Sequence, residues 1–138
     1  TDEIFSLINK NKDSIHEQSF VEIPNSWENK KLDEKWSELF KIKQDANIAI
    51  EEKRAIKEIG SSLEADLKIL ADRKSFDLLE GLNLAEYFIT SKAEKIKSDK
   101  KEGMKIEVKK AKGTKCSRCW KIIDTKCSRC EKVVNEGI

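Results

Sequence analysis

All four cysteines of this 138-residue chain lie in two Cys-x-x-Cys pairs, Cys116 with Cys119 and Cys127 with Cys130, separated by seven residues. Each pair lets one tight turn aim two sulfurs at a common point, and two such turns supply the four thiolates that tetrahedral Zn2+ prefers in a closed structural site. With all four positions filled by protein, no place remains for a reactive water. The expected role is a single structural zinc that organises a segment too short to have its own core, through binding worth roughly 10–16 kcal/mol. Disulfides are the main alternative, but oxidised structural cysteines belong to secreted chains, and nothing else in the sequence suggests secretion. A redox Cys-x-x-Cys fits less well, because two identical pairs side by side do not resemble one active dithiol in a βαβ unit.

The pairs belong to a repeated hexapeptide, Thr-Lys-Cys-Ser-Arg-Cys, at 114–119 and again at 125–130. Lys115 and Arg118 recur as Lys126 and Arg129, and their plainest role is to offset the formal charge of about −2 on a zinc held by four thiolates. The following residue does not recur: Trp120 comes after the first copy and Glu131 after the second. The indole therefore either packs the ribbon against the rest of the domain or is displayed for a partner. No phosphate-cradling glycine loop, nucleophile elbow or Walker-type lysine is present. His16 is the only histidine and lies in a polar stretch without an evident catalytic partner, while the many carboxylates mark solvated helix faces. These residues contain no catalytic centre.

Charged residues make up 39% of the chain and apolar residues 38%, with no apolar run long enough to span a membrane. The chain begins at Thr1 without an initiator Met and reads as an excerpt of something longer; the unpaired cysteines and high Lys and Glu content suggest a cytoplasmic protein. Residues 1–91 carry 13 basic and 19 acidic side chains, whereas residues 92–138 carry 15 and 7, so a net −6 faces a net +8. The basic end coincides with the cysteines. Even after the metal site's own −2, the excess exceeds charge compensation and suits an anionic partner such as nucleic acid.

The elements that must position these residues follow from periodicity. Ile4, Phe5 and Ile8 describe a short amphipathic helix, and Val21 to Lys31, with Pro24 and Asn25, an irregular crossing. From Asp33 to Ile59, Leu32, Trp36, Leu39, Phe40, Ala46, Ile50 and Ile56 recur at helical spacing, with Gly60 at the expected capping position. Leu63, Ala65, Leu67, Ile69 and Ala71 then alternate with polar residues as in a half-buried strand. Ser75 is the expected cap of a short helix carrying Phe76, Leu78, Leu79 and Leu82; an extended run from Tyr87 to Ile96 leads through a turn at 98–103 to a last strand with Met104, Ile106 and Val108. The fold class is α+β: a long amphipathic helix packed with a small mixed β-sheet and a short helix, followed by a four-cysteine zinc ribbon. Expected divisions are 1–31 (the tail of a helical domain plus the crossing), 32–60 (the long helix), 61–112 (a small α+β unit) and 113–138 (the finger).

Four stretches resemble a known family. Lys-Glu-Ile-Gly-Ser-Ser-Leu-Glu-Ala-Asp at 57–66 resembles the stretch in isoleucyl-tRNA synthetases that ends the long helix after the anticodon-binding bundle. Phe-Ile-Thr-Ser-Lys-Ala-Glu at 88–94 is similar to the family's strand, with Thr90 and Ala93 varying its aliphatic positions. Lys-Cys-Ser-Arg-Cys-Trp at 115–120 matches the family's Lys-Cys-x-Arg-Cys-Trp, and Ser14-Ile15-His16 resembles a Ser-Val-His stretch that precedes these elements. The resemblance covers nearly the whole chain in the right order. Formamidopyrimidine-type DNA glycosylases share this kind of finger, but they use an N-terminal proline nucleophile and have no place for Ile59-Gly60-Ser61-Ser62. The seven-residue spacing between the pairs is shorter than the loop common in bacterial synthetases, which should shrink the ribbon without changing its ligands.

The resemblance implies a parent enzyme that activates isoleucine with ATP and transfers it to tRNA(Ile), with ATP bound only in a catalytic domain absent from these residues. This chain would be the non-catalytic C-terminal region that grips the anticodon stem-loop and packs on the other synthetase domains. Family likeness makes Trp120 and Arg118 the expected RNA contacts, with Lys115, Lys121, Lys109, Lys110 and Lys112 as flanking cations. Two other readings stay open: a structural assembly module without direct RNA contact, and a zinc finger of a DNA-repair glycosylase, for which DNA is the less expected partner.

Overall fold

The computed structural model describes residues 1–9, 14–98 and 103–136, in two compact units, Thr1–Lys31 and Leu32–Ile138. The first unit holds helix α1 (Asp2–Ile8) and single 3₁₀ turns at Ile15–Glu17 and Asn25–Trp27. The Asp2 carboxylate accepts from Ser14 Oγ (2.9 Å) and the Ile15 N–H (2.8 Å), which holds its pKa below the usual value. Ile4 and Ile8 of α1 are exposed rather than packed, as are Phe20, Val21, Ile23 and Trp27.

The second unit is built on helix α2 (Lys30–Ala55), which begins in the last residues of the first. Leu39, Ile42, Ala46 and Ile50 form its buried stripe, spaced three or four residues apart so that they share one face. Leu32, Phe40 and Ile56, expected on that stripe, are exposed, and Trp36 is only partly covered. Phe40 lies one residue beyond Leu39 and hence roughly 100° round the helix. The helix also stops earlier than Gly60. Lys57 takes the left-handed conformation (φ 60°), the Glu58 N–H reaches Lys53 O (3.0 Å), and the Lys57 N–H reaches Arg54 O (2.9 Å). These are the paired bonds of a Schellman ending, with a lysine where glycine is preferred. Gly60 instead gives its N–H to the Glu64 carboxylate (3.0 Å).

Strand β1 (Ala65–Ala71) shows the expected alternation, with Ala65, Leu67, Ile69 and Ala71 buried. It is the middle strand of a three-stranded mixed sheet, parallel to β2 (Lys92–Lys97) with Leu67 beside Ala93, and antiparallel to β3 (Lys105–Lys110) with Leu67 beside Val108. The parallel connection runs through helices α3 (Arg73–Leu78) and α4 (Leu84–Tyr87). Asp72, not Ser75, caps α3: its carboxylate accepts the Ser75 N–H (2.8 Å). Nor is 87–96 one extended run. Tyr87 ends α4, Ile89 turns left-handed (φ 56°) with the Thr90 N–H bonded to Ala85 O (2.9 Å), and the strand starts only at Lys92. Most of the expected turn at 98–103 lies outside the described residues. Leu79, Leu84, Phe88 and Val108 join the α2 and β1 residues in one buried cluster.

Beyond β3 the chain enters a ribbon. Strands β4 (Thr114–Lys115) and β5 (Ile122–Ile123) pair antiparallel, and helix α5 (Ser128–Glu136) follows. The molecule is therefore α+β, with a long helix, a small mixed sheet, short helices and four clustered cysteines at its end. Among the described residues no helix is long and apolar enough to cross a membrane.

Candidate metal centre and the surface beside it

The first cysteine pair sits on the β4–β5 hairpin. The Cys116 N–H donates to Lys121 O (2.9 Å) and the Trp120 N–H donates to Cys116 O (3.0 Å), so Ser117 to Cys119 form a closed turn between the strands. Gly113 permits the hairpin: its φ is +133°, and a Cβ there would stand 2.3 Å from Ile123 O. The second pair lies at the head of α5, where the Glu131 N–H donates to Cys127 O (2.9 Å) and Cys130 occupies the first turn. Both pairs thus have the same four-residue closure. In the first copy Trp120 then turns left-handed (φ 64°) and ends it; in the second the helix continues.

The four sulfurs converge, all within 4.8 Å of one another, with Cys116 to Cys130 at 3.9 Å and Cys119 to Cys127 at 3.6 Å. A tetrahedral zinc with bonds of about 2.3 Å would separate its sulfurs by roughly 3.8 Å. The donor set and spacing fit a metal ion, and these cysteines form a site able to hold one. Their titration fits too. Backbone N–H groups of Cys119 and Arg118 aimed at Cys116 favour its thiolate and lower its pKa to about 6, while desolvation and the neighbouring thiols push Cys130 up to about 12. A cation at the centre would draw all four into the thiolate form.

Trp120 is 60% exposed beside this cluster, with Lys115 Nζ 6.0 Å from its ring centroid. Packing within the ribbon does not consume the indole. Lys109, Lys110, Lys112, Lys115 and Arg118 are all exposed, and among the described residues Lys110, Lys112, Lys115 and Arg118 make no ion pair. Lys109 lies on β3 across from Asp66. Lys121 differs from the other expected cations: its side chain is only 14% exposed and its ammonium sits 2.8 Å from Glu86, holding that carboxyl below its ordinary pKa. His16, in the first unit, is exposed.

Ser91, Lys92, Glu86 and Asp124 tie the ribbon to the sheet unit. Ser91 Oγ accepts the Ile122 N–H (2.5 Å) and donates to Leu63 O. Lys92 pairs with Asp124 (2.9 Å), and Glu86 takes Lys121 and, at 3.7 Å, Arg129. Glu86 and Asp124 look like solvated acids in the sequence, and partners more than thirty residues away leave no local pattern.

Comparison with known proteins agrees with the resemblance. An isoleucine–tRNA ligase of Pelagibacter ubique is 47% identical over 122 residues, 88% of this chain. The chain resembles one segment of isoleucine–tRNA ligase. Isoleucine–tRNA ligases of Brucella abortus (36% over 118 residues) and Methylacidiphilum infernorum (39% over 108 residues) each match 78% of it. The chain spans only 11–13% of the length of these ligases. No family model matches it. Each of these matches covers far more of the chain than the cysteine segment alone.

Proposed function

We propose that this chain is a non-catalytic, tRNA-binding zinc module at the C-terminal end of a cytoplasmic isoleucine–tRNA ligase, and that it contacts the anticodon stem-loop of tRNA(Ile). The parent enzyme would join isoleucine to tRNA at the expense of ATP in domains outside these residues. Cys116, Cys119, Cys127 and Cys130 would hold one structural Zn2+, whose contribution is to lock the two turns together.

The observation that carries the reading is the exposed indole of Trp120, held in a left-handed backbone conformation on the rim of the cysteine cluster with Lys115 alongside. Bulky residues adopt that conformation at a cost of about 1–2 kcal/mol, and a large exposed aromatic kept there suits an external partner. Anticodon bases are single-stranded and unstacked, so an aromatic face can stack on one while neighbouring cations meet phosphates. Lys109, Lys110, Lys112, Lys115 and Arg118 would supply those cations. Lys121 is assigned to the ribbon's attachment rather than to RNA, because Glu86 already neutralises it.

Trp120→Ala in the ligase should weaken tRNA use by about 1–3 kcal/mol, the usual worth of one base–aromatic stack. Isoleucine-dependent ATP–pyrophosphate exchange should not change. Aminoacylation at wild-type efficiency would refute the assignment of Trp120.

A further inference from the structure

A metal ion would fix four sulfurs relative to one another, but it has no hold on how the ribbon is oriented against the sheet. That orientation rests on the Lys92–Asp124 ion pair and on the residues directly after Trp120. Lys121 is held by Glu86 (2.8 Å) and its side chain is largely covered, while the Ile122 N–H is held by Ser91 Oγ (2.5 Å). Ser91 is itself anchored twice to the sheet unit: its hydroxyl donates to Leu63 O, and its N–H donates to Ala65 O (3.2 Å) at the start of β1. Glu86 stands in the short helix α4, its N–H capped by Asn83 (3.3 Å), and also faces Arg129 from the second copy. Trp120 N–H is meanwhile bonded to Cys116 O. The backbone that carries the indole is thus fixed from both sides: through the metal turn before it and through Glu86 and Ser91 after it.

We infer that Ser91 and Glu86 are positioning residues for RNA recognition, latching the ribbon to the sheet so that Trp120 meets its base already oriented. The inference rests on the proposed RNA role of Trp120. Glu86 is otherwise hard to account for, since a carboxylate next to an RNA-facing surface repels phosphate unless it is neutralised, and here Lys121 and Arg129 do that. Holding the ribbon against the sheet removes the cost of ordering it at binding. Losing it should weaken tRNA binding about threefold to tenfold.

The test uses the complete ligase with Ser91→Ala, Ser91→Thr and Glu86→Gln, each alone and combined with Trp120→Ala. Bound zinc and ATP–pyrophosphate exchange should stay at wild-type levels. Ser91→Ala and Glu86→Gln should raise KM for tRNA about threefold to tenfold with little change in kcat, and Ser91→Thr, which keeps the hydroxyl, should restore it. Hydrogen exchange at the Ile122 amide should accelerate in Ser91→Ala. In the Trp120→Ala background neither latch substitution should raise KM further. Loss of zinc, a full additional effect on top of Trp120→Ala, or an unchanged KM would overturn the latch. If Trp120→Ala alone leaves KM unchanged, the RNA role of Trp120 fails; if it raises KM while the latch variants do not, only the latch fails.

Discussion

Thr114 to Cys119 and Thr125 to Cys130 are the same six residues, yet the first copy lies on a β-hairpin and the second opens a helix. What they share is the closure at the cysteines; Thr114–Lys115 is strand and Thr125–Lys126 is not. In each, the N–H four residues after the first cysteine bonds back to that cysteine's carbonyl. After the last cysteine they part again: Trp120 turns left-handed and leads through Lys121 to Ile122–Ile123 of β5, whereas Glu131 continues into Lys-Val-Val-Asn on α5. Lys and two β-branched residues follow in both copies, so strand propensity does not separate them; what differs is Glu131, an acid in the first turn that favours the helix N-terminus. The hexapeptide therefore places sulfurs, and its neighbours choose the backbone. Its other side chains diverge as well. Lys115 lies near Trp120 while Lys126 pairs with Glu131 (3.6 Å); Arg129 faces Glu86, whereas Arg118 makes no ion pair among the described residues.

The largest expected effect treats the copies alike. Stripping the metal with a chelator should remove binding worth about 10–16 kcal/mol and release both turns and α5, while amides of β1 keep their protection from hydrogen exchange. Release of one copy alone would break the equivalence. The same centre carries a pH dependence. With Cys130 pushed up to about 12 and Cys116 lowered to about 6, a metal-free ribbon at neutral pH holds protons that the ion must displace. Metal binding should therefore release protons and weaken from pH 8 to pH 6, measurable by competition with a metal buffer at each pH.

Gly113→Ala should come next. It sets a Cβ against Ile123 O at a backbone angle suited to glycine, and should cost the hairpin about 2–4 kcal/mol in a denaturant titration of the metal-loaded protein. Smaller still, glycine substitutions one residue past each copy should have opposite signs. Trp120→Gly relieves a left-handed residue and should stabilise by about 1 kcal/mol, whereas Glu131→Gly weakens a helix and should cost about 1 kcal/mol. Equal signs would mean that the two turns do not differ as described. Lastly, tRNA affinity should fall with salt by about 0.7 log units per log unit for each phosphate neutralised on single-stranded RNA, and Lys112→Ala should lower that slope while Lys126→Ala leaves it unchanged.

Much of this was legible in the sequence where the signal is local. Metal-ligand spacing needs only a turn, and a half-buried strand writes its period directly, as Ala65, Leu67, Ile69 and Ala71 do. Helix α4 left no such mark, because it has only four residues and the left-handed residue that closes it, two positions on, is Ile89 where glycine is preferred. Gly60 misled for the converse reason: Lys57 takes the conformation usually left to glycine. Ser91 and Glu86 were invisible because their partners are 28 to 43 residues away in the chain.

The central claim is that the two copies share a metal but only the first presents a residue to RNA. Its most direct test is the affinity of the zinc-loaded ligase for tRNA(Ile) after Trp120→Ala and, separately, Glu131→Ala. The account predicts about a fivefold or greater loss for the first and no measurable loss for the second. Equal losses, or none from Trp120→Ala, would contradict it.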